Sequence, residues 1–346
     1  MASGTTNSHE ALLRNQHHLS GRVLILGLQD AELLNRLTPG GCAMSEHRGV
    51  FQQAREAAPA AWQLAFGYDD PRLQAACADT AVIFLPKARE ELDLRLGLAR
   101  SLLAEGGKVL LIGEKREGIA GAVKQLKALD SAAAKLDSAR HCQVWQARPT
   151  SARFNLNDWV RWHQVDVAGT AIEVAGLPGI FSDGHLDEGT RLLLESVAQR
   201  ALAGPFLDFA CGAGTIGAWL AAHQGGDPVV DGVDVQAQAV HCARQTYQRQ
   251  GVRGDILASD GLPDTLGRYA TIITNPPFHT GVRTDASMTT RFLQQVTRHL
   301  ASQGELVLVA NRFLPYPELI KSRFAGFEVL AENSRFRVYR ATGPRH

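Results

Sequence analysis

A chain of 346 residues with 36 basic and 35 acidic side chains carries a formal net charge of +1 at pH 7. Its 45% hydrophobic and 21% charged content is that of a folded globular protein long enough for two domains, which excludes a disordered or low-complexity chain. The even charge balance lacks the basic excess of most nucleic-acid binders, so such a role has to rest on where charges lie. In chain order, residues 22–30 carry an apolar strand that ends in a turn with one glycine, Gly27. Residues 79–86, 101–112 and 138–147 supply further strand-like runs separated by helical patterns. The polar segment Pro149-Thr150-Ser151-Ala152-Arg153 marks a linker. Beyond it, residues 205–210 read as a strand, Cys211-Gly212-Ala213-Gly214 as a glycine loop and residues 215–224 as a helix. Strands at 229–235 and 255–258 follow, and Tyr269-Ala270-Thr271-Ile272-Ile273-Thr274 reads as a buried strand.

The two halves repeat each other. Residues 79–86 parallel 269–276, residues 101–112 parallel 298–309, and residues 143–147 parallel 337–341. Strands alternating with helices in both copies predict an α/β protein with two tandem doubly wound domains, 1–150 and 151–346. The first copy has no acid before its lone glycine, and Leu85-Pro86-Lys87 stands where the second has Asn275-Pro276-Pro277. It is expected to bind no cofactor and to serve recognition or support.

Chemistry is concentrated in the second copy. Two prolines directly after a strand end its ladder and stiffen the turn. Asn275-Pro276-Pro277-Phe278 therefore holds an amide oxygen and the Pro276 carbonyl side by side at the edge where open α/β sheets bind ligands. Two acceptors together suit a planar NH2 group, and Phe278 offers a face on which a base stacks. A strand-ending turn with an Asn cap and a core Phe is the plainer reading of the same residues. Upstream, the glycine loop allows close backbone approach and opens a helix whose first N–H groups are free. Asp234 is placed to accept from ribose hydroxyls, and Asp260 from an adenine amine. The cofactor-facing set is Asp208, Cys211, Gly212, Gly214, Asp234, Val235, Asp260 and Gly261. Gly212 to Gly217 also match the dinucleotide fingerprint G-x-G-x-x-G, which keeps an NAD-binding oxidoreductase open. Asp208 weighs against it, because a carboxylate facing a pyrophosphate is repulsive, whereas it suits the ammonium of S-adenosyl-L-methionine. A silent RNA-binding protein that retains the fold is the other alternative.

These residues resemble the class I S-adenosylmethionine-dependent methyltransferases, and within them the ribosomal RNA small subunit methyltransferase C family. The likeness is carried by Leu177-Pro178-Gly179-Ile180-Phe181-Ser182, Leu186-Asp187-Glu188-Gly189-Thr190 and Leu207-Asp208-Phe209-Ala210-Cys211-Gly212-Ala213-Gly214. It continues in Asn275-Pro276-Pro277-Phe278-His279-Thr280-Gly281, Phe313-Leu314-Pro315-Tyr316-Pro317 and Phe336-Arg337-Val338-Tyr339-Arg340-Ala341. The resemblance implies two Rossmann-like methyltransferase domains, the N-terminal copy degenerate. It also implies methylation of the N2 amine of a guanosine in 16S ribosomal RNA within the assembled 30S subunit. A relative acting on large-subunit RNA shares nearly every motif. The family usually has glycine where this chain has Ala210.

Asn275, Pro276 and Phe278 are the expected catalytic residues, with Pro277, Lys115, Arg116 and Arg312 in contact with RNA. The basic C-terminal stretch, Arg312, Lys321, Arg323, Arg335, Arg337, Arg340 and Arg345, reads either as a phosphate-binding face or as a charged sheet edge. Cys42, Cys77, Cys142, Cys211 and Cys242 show no C-x-x-C spacing, so neither a metal site nor a disulfide framework is expected. No signal-type segment or membrane-spanning run is recognised, and a cytoplasmic monomer without membrane contact is expected. Trp159 and Trp162 are expected to pack at the domain junction.

Overall fold

The computed structural model describes residues 6–38, 40–276 and 286–345. It divides into two compact units, Met1–Trp159 and Val160–His346. The division falls after Trp159 and not in the polar linker, because ring packing ties the intervening residues to the first unit. Phe154 lies 6.4 Å from Tyr68 and 6.3 Å from Trp159, ring to ring. Trp162 belongs to the second unit, where the Arg249 guanidinium sits 4.2 Å over its ring.

The first unit contains strands β1 (Val23–Leu26), β2 (Gly41–Ser45), β3 (Trp62–Phe66), β4 (Ala78–Phe84), β5 (Leu103–Glu114), β6 (Ala134–Ala139) and β7 (Cys142–Ala147). Helices α1 (Asn7–Arg14), α2 (Arg48–Ala57), α3 (Arg89–Leu102) and α4 (Ile119–Leu129) cover the sheet. The second unit opens with a hairpin of β8 (Arg161–Val167) and β9 (Thr170–Gly176). Its sheet is built from β10 (Phe206–Phe209), β11 (Val230–Asp234), β12 (Ile256–Ala258), β13 (Tyr269–Thr274), β14 (Leu300–Asn311), β15 (Phe324–Glu332) and β16 (Phe336–Pro344). Its helices are α5 (Glu188–Val197), α6 (Thr215–Gln224), α7 (Ala237–Gln250), α8 (Ala286–His299) and α9 (Tyr316–Arg323).

Strand order is β3-β2-β1-β4-β5-β7-β6 in one sheet and β12-β11-β10-β13-β14-β16-β15 in the other. The two orders are the same. Five parallel strands and an antiparallel hairpin at one edge make each sheet doubly wound. The central strands read as unbroken apolar runs because helices cover both faces. In the second sheet, Leu207, Phe209, Ile272 and Leu306 share a core with Phe292, Leu293 and Val296 of α8. Alternation along β10 then places Asp208 on the opposite face, beneath α6.

Register refines the internal duplication. Val23 pairs with Gly41 and Thr80, as Phe206 pairs with Val230 and Thr271. Counted from those pairs, Phe84 and Leu85 hold the places of Asn275 and Pro276. The parallel drawn from sequence alone was one residue out of step, since a run of alternating apolar residues aligns nearly as well after a slip.

Each sheet reverses its winding between two central strands, β1 and β4 or β10 and β13, which opens a crevice at their C-terminal ends. In the first unit that crevice is occupied by protein. The buried Arg95 donates from Nη1 to the Phe84 carbonyl at 2.6 Å, from Nε to Glu46 at 3.1 Å and from Nη2 to Glu91 at 2.9 Å. Its guanidinium packs against Gly27. Glu46 is tied in turn to the Tyr68 hydroxyl.

In the second unit, Ala210 takes Gly27's place with φ +56, a left-handed conformation that costs an L-residue about 1–2 kcal/mol. Ala210→Gly is expected to raise stability by about 0.5–1 kcal/mol in urea unfolding, after allowing for the looser unfolded chain. A loss of stability would show that the alanine methyl makes packing contacts worth more than the strain.

Candidate functional site

Two loops leave adjacent strands at the same level. Phe209 of β10 pairs with Thr274 of β13, and the Thr274 hydroxyl donates to the Phe209 carbonyl at 2.6 Å. The next residues are Ala210, which enters the glycine loop, and Asn275, which enters the proline turn. Parallel neighbours lie about 4.8 Å apart, so the loop and the turn border one crevice.

The glycine loop is held from below. Asp208 is fully buried, and its Oδ2 accepts from the Gly217 N–H at 3.0 Å. It was expected to face a ligand; alternation along β10 instead turns it under α6. Its other oxygen has no hydrogen-bond partner among the described residues. Burial raises its pKa well above 3.8, against the opposing bond from Gly217 and with help from the charge of Asp234. Gly217 admits no side chain because the Tyr247 hydroxyl stands where its Cβ would be. Asp234 ends β11 half-buried, with Oδ2 accepting from Gly212 N at 2.8 Å and Oδ1 from Gln236 N at 2.9 Å. Gly212 has φ +54, and among the described residues nothing but its chain neighbours stands where a Cβ would project.

The rest of the expected set lies around the same strand ends. The Cys211 thiol turns back against Gly232, and burial pushes its pKa well up, so it is packing and not a nucleophile. Gly214 is the left-handed residue before α6, Val235 is half-buried beyond β11, and Asp260 and Gly261 lie in the loop after β12. Gln236, which carried no expectation, donates to the Gly179 carbonyl at 2.8 Å and so fixes the segment ahead of α5 beside β11.

The acceptor corner is defined by the Asn275 side chain. Its Nδ2 donates to Asp187 Oδ1 at 3.1 Å and to Thr190 Oγ1 at 3.0 Å. Asp187 is also the N-cap of α5, taking the N–H groups of Gly189 and Thr190 at 3.0 and 3.1 Å. Both amide hydrogens are used, and Asn275 Oδ1 is the end turned away from these partners. Pro276 is buried beside it. Pro277, Phe278 and His279 lie outside the described residues. Neither Asp187 nor Thr190 was singled out from sequence for a role. Asp187 with Gly189-Thr190 carries a capping signature, but nothing local joins it to a residue 88 positions later.

The basic candidates differ in availability. Arg116 is exposed but bonded to Glu114 at 2.7 Å, and Lys115 is exposed beside it on the loop after β5. Arg312 holds the corresponding place after β14 and donates to the Asn333 carbonyl at 3.2 Å. Much of the C-terminal basic run is paired: Arg340 with Glu305 and Glu328, Arg337 with Glu332, Arg335 with Glu188 and Lys321 with Glu318. Most of those pairs are what a charged sheet edge contains.

Comparison with known proteins gives this geometry a family. Residues 171–340 match the methyltransferase small domain, and residues 9–163 match the methyltransferase small domain N-terminal family. Ribosomal RNA small subunit methyltransferase C of Stutzerimonas stutzeri is 40% identical over 334 residues, 96% of this chain and 98% of the relative. That of Hahella chejuensis is 40% identical over 98% of this chain and 99% of its own. The chain belongs to the ribosomal RNA small subunit methyltransferase C family. The same two-unit fold is found in a T. thermophilus 16S rRNA N2 methyltransferase solved in complex with AdoMet and guanosine. The TM-score is 0.82 at 24% identity, covering 99% of this chain and 93% of that one. The two-unit plan is therefore shared with this family.

Asp208 gives a pH signature. Its folded pKa lies above 3.8, so ionising it costs the folded state: stability is full below that value and declines as pH rises toward the folded pKa. Asp208→Asn keeps an acceptor for Gly217 and removes the ionisation. The melting temperature of the variant is expected to gain on wild type as pH is raised from 4 to 8. A gap independent of pH would contradict the buried-acid description.

Proposed function

We propose that this chain transfers a methyl group from S-adenosylmethionine to the N2 amine of a guanosine in small-subunit ribosomal RNA, acting on the assembled 30S subunit in the cytoplasm as a monomer. The observation that carries the reading is the Asn275 amide, whose Nδ2 is held by Asp187 and Thr190 so that Oδ1, an acceptor, is the end turned away from them. An acceptor beside the Pro276 carbonyl suits a donor group and disfavours a carbonyl edge. Guanine N2 supplies such a group.

The chain's residues fit the cofactor on two counts. Gly212 leaves the loop open to close approach, since no other described residue stands within 4 Å of where a side chain would begin, its chain neighbours aside. Asp234 ends β11 beside the loop, bonded to Gly212 N and Gln236 N, where a carboxylate suits ribose hydroxyls. Asp208 braces the loop from beneath through Gly217. Against a dinucleotide, the Gly217 N–H already donates to Asp208, which removes one first-turn donor of α6 from a pyrophosphate. Cys211, Gly214, Val235, Asp260 and Gly261 are proposed to line the cofactor's remaining surface.

S-adenosylmethionine supplies a methyl carbon already activated by its sulfonium. The protein's task is the nucleophile. Guanine N2 is weakly nucleophilic because its lone pair is delocalised into the ring. Asn275 Oδ1 and the Pro276 carbonyl hold the two N2 hydrogens, turn the lone pair out of conjugation and stabilise the positive charge that develops on nitrogen. Because Asn275 is half-buried, the base must leave its stack to reach it. Phe278 and Pro277 are proposed to bear on the base, and Lys115, Arg116 and Arg312 on RNA phosphates. The first unit, whose crevice is filled by Arg95, is proposed to be a degenerate copy that binds no cofactor and serves recognition or support.

Asn275→Ala is expected to lower kcat on the order of 10²- to 10³-fold while the Kd for S-adenosylmethionine stays within a few-fold of wild type. Single-turnover methylation of 30S subunits and calorimetry separate the two effects. Turnover at the wild-type rate would remove Asn275 from the chemistry.

A further inference from the structure

We infer that Thr190, working with Asp187, is a positioning residue that decides which end of the Asn275 amide meets the methyl acceptor. The inference rests on the function proposed above and extends it to Asp187 and Thr190, which hold the Asn275 side chain.

An asparagine amide is ambiguous, since half a turn about its last bond exchanges an acceptor for a donor. Here the ambiguity is removed by chemistry. Asp187 Oδ1 already takes the N–H groups of Gly189 and Thr190, so it can accept from a third donor but has nothing to offer an oxygen. A flipped amide would set Asn275 Oδ1 against that carboxylate, losing both Nδ2 bonds and adding repulsion. Asp187 thus fixes the sense of the amide. Thr190 Oγ1, at 3.0 Å from Nδ2, fixes the remaining angle by taking the second hydrogen. Thr190 is itself held firmly: only 6% of it is exposed, and it lies one turn before the fully buried Leu193 and Leu194.

The first unit provides an internal comparison. Thr6 caps α1 by accepting from His9 N, as Asp187 caps α5. His9 is three residues past its cap, the place of Thr190 in α5, and Phe84 holds the place of Asn275. His9 and Phe84 meet edge-to-face with ring centroids 5.1 Å apart. The copy without the asparagine thus has neither the carboxylate cap nor the hydroxyl. Cap, helix residue and strand-end residue differ together between the copies, as expected if they form one device.

The test compares Thr190→Val and Thr190→Ser in methyl transfer from labelled S-adenosylmethionine to 30S subunits that lack the modification. Valine keeps the volume and removes the acceptor; serine restores it. Thr190→Val is expected to lose on the order of 10- to 100-fold in kcat, with KM for cofactor and subunits and the melting temperature near wild type. Thr190→Ser is expected to stay within a few-fold of wild type. Wild-type kcat in the valine variant overturns the inference, as does an equal loss in both variants. If the wild-type protein labels no guanosine N2, the proposed function fails and the inference falls with it. An active wild type with an equally active valine variant leaves that function standing and removes Thr190 alone.

Discussion

The hydrogen bond from Asn275 Nδ2 to Asp187 is the constraint on which the rest of the site depends. It joins the end of β13 to the beginning of α5, elements 88 residues apart in the chain. It also converts an ambiguous amide into a directed acceptor. The proline that follows has no N–H and a fixed φ, so the backbone cannot relax to spoil that direction. Rigidity here has a chemical purpose. A weak nitrogen nucleophile gains most from partners that are already in place when charge develops, because reorganising them would consume the benefit.

The neighbouring glycine loop is rigid for a different reason. Asp208 grips it from beneath through Gly217, and the Tyr247 ring occupies the room that a side chain there would need. The loop is braced on its protein side, and among the described residues only its chain neighbours stand within 4 Å of where a Gly212 side chain would begin. Such an arrangement tolerates a buried acid and a left-handed alanine because neighbouring strands, paired residue by residue, hold the loop's ends. Strain at a binding loop is offset by order elsewhere. The first unit differs on the same topology, with an arginine and two glutamates at the corresponding strand ends.

Much of this was legible in the sequence because the relevant signals are local. The β13 strand was read at its observed bounds, Tyr269–Thr274, and α6 at Thr215–Gln224, since an apolar run stopped by prolines and a helix opened by glycines are short-range patterns. The duplication was visible for the same reason. What was not legible is long-range or depends on which face a side chain takes. Asp208 sits on the α6 face, a fact set by alternation relative to a core that sequence alone does not orient. The partners of Asn275 lie on a helix far upstream. The unit boundary was read from polar composition, whereas packing of Phe154 and Trp159 against the first unit moved it to Trp159. The basic C-terminal run kept both of its readings until cross-strand carboxylates showed how much of its charge is already paired.

The most direct test of the account is the identity of the product. Wild-type protein would be incubated with methyl-labelled S-adenosylmethionine and with 30S or 50S subunits that lack the modification, and the RNA digested to nucleosides. The expected result is label in N2-methylguanosine from the 30S subunit. Label in any other nucleoside, label from the 50S subunit alone, or none from either would contradict the claim that this corner grips a guanine amine of small-subunit RNA.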